Sequence, residues 1–219
     1  MKPRSSWLVC CALAALLVLL FGASLCAGRV WAPWSAWVSH GADPRWAIVF
    51  GLRLPRTILA ILVGGALGLG GAALQGYTRN PLADPAALGV STSAALGAVL
   101  TLYLGAAGEA TWVLPAAAMV GAGLGVAALL ALSGVTSSIV TFILAGFVIQ
   151  TVCGAGIALA LNLAPNPWAV NEIVNWTLGS LTDRSIDEVK LASPGILAGS
   201  ILLLTDRKST RLNSSHRCI

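Results

Sequence analysis

Two runs without a single charge constrain this chain more than any other feature: Trp7 to Gly28, 22 residues, and Thr57 to Gly76, 20 residues. A bilayer core of about 30 Å is crossed by roughly 20 apolar helical residues, and a helix satisfies its own backbone hydrogen bonds in lipid. Only 10% of the 219 residues are charged and 57% are apolar, where a soluble domain carries about 25% charged residues. A water-soluble globule is excluded. The expected fold class is all-α, a polytopic transmembrane helical bundle. Six spans are expected: the first apolar run, then about 57–77, 86–104, 112–132, 139–162 and 190–205.

The formal net charge of +5 does not point to nucleic acid. Residues 206–219 hold Arg207, Lys208, Arg211 and Arg217 against Asp206, which is +3 and leaves +2 over residues 1–205. The same tail breaks the apolar run at Thr205. Residues 206–216, Asp-Arg-Lys-Ser-Thr-Arg-Leu-Asn-Ser-Ser-His, match residue for residue the translation of a common sequencing-library adapter. The expectation is therefore a transmembrane domain over 1–205, cut short at its C-terminal side, and a non-native tail over 206–219. The alternative is a natural polar tail.

Lys2 and Arg4 before the first run resemble a signal-peptide start, but the run is too long for a signal core and further spans follow, so a retained helix is expected. Val30 to Pro55 carries Trp31, Trp34, Trp37 and Trp46 and is interrupted by Pro33 and Asp43-Pro44. It reads as an interfacial connection, because indole prefers the headgroup level; an aromatic ligand-stacking site is the alternative. Leu163 to Val189, with Pro165, Pro167, Trp168, Trp176 and Gly179, reads as a short helix lying against the bundle.

Gly64, Gly68, Ala72 and Gly76 recur every four residues, as do Gly89, Ser93 and Gly97, and Gly121 and Gly125. Small residues at this interval let helix backbones approach, so tight packing is expected of all three sets.

Ionisable groups inside a membrane usually mark ion or proton pathways. Between Thr57 and Asn171 the charges are Arg79, Asp84 and Glu109, each in an expected connection. No coupling site for an ion-driven transporter is visible. The five cysteines form no C-x-x-C pair, no H-x-x-x-H or Walker glycine loop occurs, and His40, the one histidine outside the tail, sits in a connection. No catalytic residue, metal site or cofactor is expected. Gln75, Gln150 and Asn162 are the polar span residues that could line a path, with interhelical hydrogen bonding as the competing role.

The most specific local pattern runs from Arg53 to Gly97. Arg53-Leu-Pro-Arg56 is expected to set a turn before a helix, Pro55 opening it and biasing Leu54 to be extended. Asn80-Pro-Leu-Ala-Asp-Pro85 is a rigid connection at the far end of that helix. With Gln75-Gly76, Leu88-Gly-Val-Ser91, Leu144-Ala-Gly146 and Trp176-Thr-Leu-Gly-Ser180, this pattern closely resembles the permease subunits of ABC importers for ferric siderophores, haem and cobalamin.

The resemblance covers most of residues 1–205 and implies about ten spans, each long enough for a bilayer. It also implies a homodimer in the cell inner membrane, in contact with lipid, driven by cytoplasmic ABC ATPases and fed by an extracytoplasmic solute-binding protein. It implies that Arg53 and Arg56 receive acidic residues of that binding protein, a role suited to the planar arginine fork. Arginines on the outer side run against the positive-inside rule. Asn80 and Leu82 match positions that narrow the cytoplasmic mouth, and a second constriction is expected within Gly134 to Ser138. The expected function is therefore that of a permease subunit and not an enzyme. An ion-coupled secondary transporter is the runner-up and a membrane scaffold the third reading.

Overall fold

The computed structural model of the chain describes residues 3–38, 43–106, 112–134, 138–182 and 184–214. Helices α1 (Pro3–Cys26), α2 (Ser35–Val38), α3 (Arg45–Ile48), α4 (Leu54–Thr78), α5 (Val90–Tyr103), α6 (Val113–Ser133), α7 (Ile139–Asn162), α8 (Pro167–Leu178) and α9 (Ile186–Ser214) follow one another, with no strand among the described residues. Five stretches are long and apolar enough to cross a membrane: Trp7–Cys26, Arg45–Thr78, Val113–Ser133, Ile139–Asn162 and Ile186–Thr205. Their apolar side chains lie largely on the outside, as lipid requires: Val18 and Leu19 of α1 are each 70% exposed. The chain divides into two compact units, Met1–Ala66 with Leu181–Ile219, and Leu67–Ser180.

In the first unit, the expected interfacial connection before Pro55 is in part helical. Asp43 accepts the Arg45 N–H through its carboxylate at 2.9 Å and the Trp46 N–H through its carbonyl at 2.9 Å, which starts α3. A π turn over Val49–Arg53 then joins α3 to α4, and Leu54 has φ −62° and ψ −50°. It is helical, not extended. Proline removes a helical N–H and crowds the carbonyl four residues back; here the ladder widens ahead of Pro55, with the Leu54 N–H reaching Val49 O. Val49, Leu25 and Ala32 form a small core with Phe21, Trp37 and Leu54. Ser24 and Thr57 share a hydrogen bond at 2.8 Å between α1 and α4.

The second unit is the better packed. Gly97 and Gly121 each bring a backbone against its neighbour: an added Cβ would lie 2.4 Å from Ala117 O and from Ser93 O respectively. At Gly125 it would meet the Ser93 hydroxyl at 2.5 Å. Two of the three expected small-residue sets therefore pack. The third does not among the described residues, since Cβ atoms at Gly64, Gly68 and Gly76 would meet nothing within 4 Å.

The third expected span is also shorter than read. Asp84 accepts the Ala86 N–H at 3.0 Å and starts a 3-10 turn over Pro85–Leu88, which ends at Gly89 with φ +74°. Helix α5 begins only after it and has 14 residues, about 21 Å at 1.5 Å per residue. The expected helix inside 163–189 is α8. Asn166 caps it by accepting the Ala169 N–H at 2.8 Å, Pro167 opens it, Gly179 closes it at φ +74°, and Ala169 and Ile173 are its buried face. Helix α9 starts at Ile186 and runs past Thr205 to Ser214.

Candidate functional site

The arginines singled out in the sequence stand where α1 ends and α4 begins, and they do different things. The Arg53 guanidinium turns back onto α1: Nη1 donates to Leu25 O at 2.9 Å and to Cys26 O at 2.8 Å, and Nη2 donates to Val30 O. The last carbonyls of a helix have no partner within it and carry the negative end of its dipole, so Arg53 caps α1. Gly28 leaves room for it: a Cβ there would lie 2.7 Å from Nη2. Arg56, in the first turn of α4, is exposed and donates to the Thr182 hydroxyl at 3.1 Å. Arg29, Arg53 and Arg56 line one cleft of about 440 Å³ together with Ser24, Gly28 and Thr182.

Two residues beyond α4, the Asn80 side chain accepts the Leu82 N–H at 2.9 Å and its carbonyl accepts the Ala83 N–H at 3.2 Å, a tight turn that leaves Leu82 88% exposed. The turn is held from behind. Gly89 would, with a Cβ, meet Gln150 N at 2.7 Å and Gly146 O at 2.9 Å, and Gly146 would meet the Leu88 Cα at 2.8 Å. The loop that presents Asn80 and Leu82 is therefore seated on the backbone of α7. Leu88 also joins the Leu129, Ala145 and Ile149 core.

Gln75 and Asn162 are exposed and Gln150 is half-buried. Asn162 donates to Ala158 O of its own helix at 2.8 Å. Of the residues named for the second constriction, Gly134 and Ser138 are described, and Ser138 caps α7 by accepting the Thr141 N–H at 3.2 Å; 135–137 lie outside the described residues, as do His40 and Glu109. Among the described residues no three His, Cys, Asp or Glu side chains gather where they could hold a metal ion.

Sequence reasoning missed Gly28 and the seat formed by Gly89 and Gly146. Glycine in a Gly-Arg pair just past a helix was a usable signal for the first. A glycine four residues after Pro85 was one for the second, since positive φ falls to glycine.

An apolar helical chain with a few polar residues collected at helix ends is a multi-pass membrane protein. The comparisons narrow the class: residues 16–215 match the model of the FecCD transport family. The chain belongs to that family. It is 41% identical over 168 residues to the uncharacterized ABC transporter permease protein YvrB of Bacillus subtilis (strain 168), covering 74% of this chain and 47% of the relative. It is 34% identical over 178 residues to the vitamin B12 import system permease protein BtuC of Escherichia coli O127:H6, covering 81% and 53%. A metal-chelate type ABC transporter solved in an inward-facing conformation aligns with a TM-score of 0.78 at 27% identity, over 89% of this chain and 60% of that one. The chain spans about half the length of the curated relatives it matches. Among the described residues it contributes the helical, membrane-spanning architecture of an ABC transporter permease of this type.

Proposed function

We propose that the whole protein is the membrane permease subunit of an ATP-driven importer for an iron chelate, haem or cobalamin. The observation that carries this reading is the joint match in sequence and fold, 34% identity to a vitamin B12 import permease and a TM-score of 0.78 to a metal-chelate type transporter. In this reading two copies assemble, a separate cytoplasmic ATPase hydrolyses ATP, and an extracytoplasmic solute-binding protein delivers the cargo. The chain itself makes and breaks no covalent bond. It binds and gates.

Arg53 and Arg56 form the docking end of the permease, and the exposed Arg56 is the more available of the two. Asn80 and Leu82 form the cytoplasmic gate, where an exposed leucine on a rigid turn closes against its counterpart in the second copy. Gln75, Gln150 and Asn162 line the path and offer polar contacts to a solvated cargo. In the same reading the domain spans 1–205, and residues 206–219 are not native. The polarity change at Asp206 and the adapter match support that, while the family match runs to residue 215.

The test is direct. A second, independent reading of the gene past codon 205 gives the native continuation, and the restored permease is reconstituted with its cognate ATPase and binding protein. Cargo-stimulated ATP hydrolysis and uptake of cobalamin, haem or a ferric hydroxamate are the expected result. The 219-residue chain in the same assay is expected to insert and to transport nothing. Uptake that follows an ion gradient without ATP would overturn the proposal.

A further inference from the structure

We propose that Arg29 is a third docking arginine, which with Arg56 receives a carboxylate of the solute-binding protein, while Arg53 is a positioning residue that holds their cleft open. The inference rests on the docking role proposed above, and it redistributes that role among the three arginines.

A guanidinium carries five N–H donors. Three of those on Arg53 go to the carbonyls of Leu25, Cys26 and Val30. Its plane is thus fixed by the end of α1 and by the turn that follows, and Gly28 leaves no side chain in the way. Neutral carbonyls hold Arg53 without neutralising it, so its charge still acts on the cleft. Arg56 has one hydrogen bond, to Thr182, and keeps four donors. Arg29 follows the last residue of α1 by three, is exposed, and forms neither an ion pair nor a side-chain hydrogen bond among the described residues.

All three line the same cleft of about 440 Å³, and among the described residues no Asp or Glu lines it. A concave site lined by three arginines, with no carboxylate among the described residues that line it, suits a carboxylate from outside, which arginine forks bind through paired hydrogen bonds. The bilayer is the other source of negative charge. An arginine that anchors in headgroups extends a flexible stem toward them; Arg29 and Arg56 instead line a concave cleft, with Arg56 turned to the Thr182 hydroxyl. The acidic protein partner is the occupant these observations favour.

The experiment measures binding of the cognate solute-binding protein to the restored permease, in nanodiscs of zwitterionic lipid at two salt concentrations. Arg29→Glu is expected to weaken binding at least tenfold, as Arg56→Glu does, and to flatten the salt dependence, because exposed charges are screened within about 8 Å at physiological ionic strength. Arg29→Lys, which keeps the charge, is expected to retain at least a third of the affinity. Arg53 should behave differently: Arg53→Lys loses as much as Arg53→Gln, because one ammonium cannot bridge three carbonyls, and Gly28→Ala weakens binding severalfold without changing any charge.

Unchanged binding in Arg29→Glu, with Arg56→Glu impaired, overturns the proposal and leaves docking on Arg56. Unchanged binding in both, with insertion and fold intact, overturns docking as a whole. A dependence on anionic lipid content that Arg29→Glu removes, with partner binding unaffected, assigns the cleft to headgroups and overturns it too. Arg53→Lys at full affinity would show Arg53 acting as a charge on the partner and overturn the positioning role.

Discussion

Helices α1 and α4 meet quite differently from helices α5 and α6. The first pair is tied at one end, by the Ser24 to Thr57 hydrogen bond and the Arg53 cap, and then leaves a cleft of about 440 Å³ lined by Leu17, Phe21, Ala60, Ile61 and Gly64 among others. The second pair closes backbone on backbone at Gly97 and Gly121. Both pairs carry small residues at intervals of four, yet only one uses them against a neighbour in this chain. The difference shows what such a stripe encodes: permission for close approach, not the identity of the approaching element. In lipid there is no hydrophobic drive to close a gap between helices, so contact must come from fitted surfaces or polar bonds.

The largest expected effect lies in the closed seam. Gly121→Leu would set a branched side chain where even a Cβ comes within 2.4 Å of Ser93 O, and a backbone carbonyl cannot rotate away. Overpacking costs typically 1–3 kcal/mol and sometimes more, so a loss of at least about 3 kcal/mol is expected on titration with a denaturing detergent. The open seam supplies the contrast. A Cβ at Gly64 would meet nothing within 4 Å among the described residues, the cleft beyond it leaves room for a longer side chain, and Gly64→Leu removes a helix glycine that costs about 1 kcal/mol relative to alanine, so stability should hold or rise slightly. A large loss at Gly64 would show that the seam is closed. In the restored, longer protein Gly68→Leu is expected to turn destabilising by about 1–3 kcal/mol, because the proposed native continuation supplies the partner that α4 lacks here.

An intermediate effect belongs to the polar tie. Thr57→Val removes the hydroxyl shared with Ser24 but keeps the volume, and Thr57 also donates to Arg53 O of its own helix at 2.8 Å. Interhelical hydrogen bonds in membranes average about 0.6 kcal/mol, and a loss of that size is expected for the first unit. Double replacement with Ser24→Ala should add little, since both changes break one bond. Additive losses would mean that the Ser24 hydroxyl has a further partner of its own.

How far the sequence exposed all this depends on whether the signal was local. Helix α8 was legible, because Pro167 and Gly179 bracket it and an amphipathic segment lies between them. The start of the second span was misread for an equally local reason: Asp43-Pro44 and Pro55 are breakers on paper, but Asp43 caps a helix start and a π turn absorbs Pro55. The turn at Asn80 and Leu82 was legible as rigid, while its seat on Gly146 was not, because that contact joins residues about sixty apart through backbone atoms that no side-chain pattern records. Arg53 shows the same limit. The family resemblance implied docking for it, and only the return of the chain to the end of α1 reveals the carbonyls it caps.

The smallest expected effect separates the two regions by pH. In the connection that leads to α4, Asp43 pairs with Arg45 at 2.8 Å, and that side-chain hydrogen bond, with a second from the Arg45 N–H, holds the Asp43 carboxyl below its ordinary value. A carboxylate lowered in the folded state stabilises it above the unfolded pKa of about 3.9, and the contribution is lost as pH falls through the lower folded value. Nothing should therefore change between pH 7 and pH 5, and a slight loosening of the segment should appear only below about pH 4. The helices of the closed seam contain no carboxylate and no histidine over Val90–Tyr103 and Val113–Ser133, so they have nothing to titrate there. Hydrogen exchange followed peptide by peptide reads both regions in one sample. Once rates are divided by the intrinsic exchange rate at each pH, lower protection is expected around Trp46 at pH 3.5 and not around Gly121, and that acid response should vanish in Asp43→Asn. An equal response in both regions, or one that survives Asp43→Asn, would mean that acid acts on the whole fold and that the Asp43 pair is not its sensor.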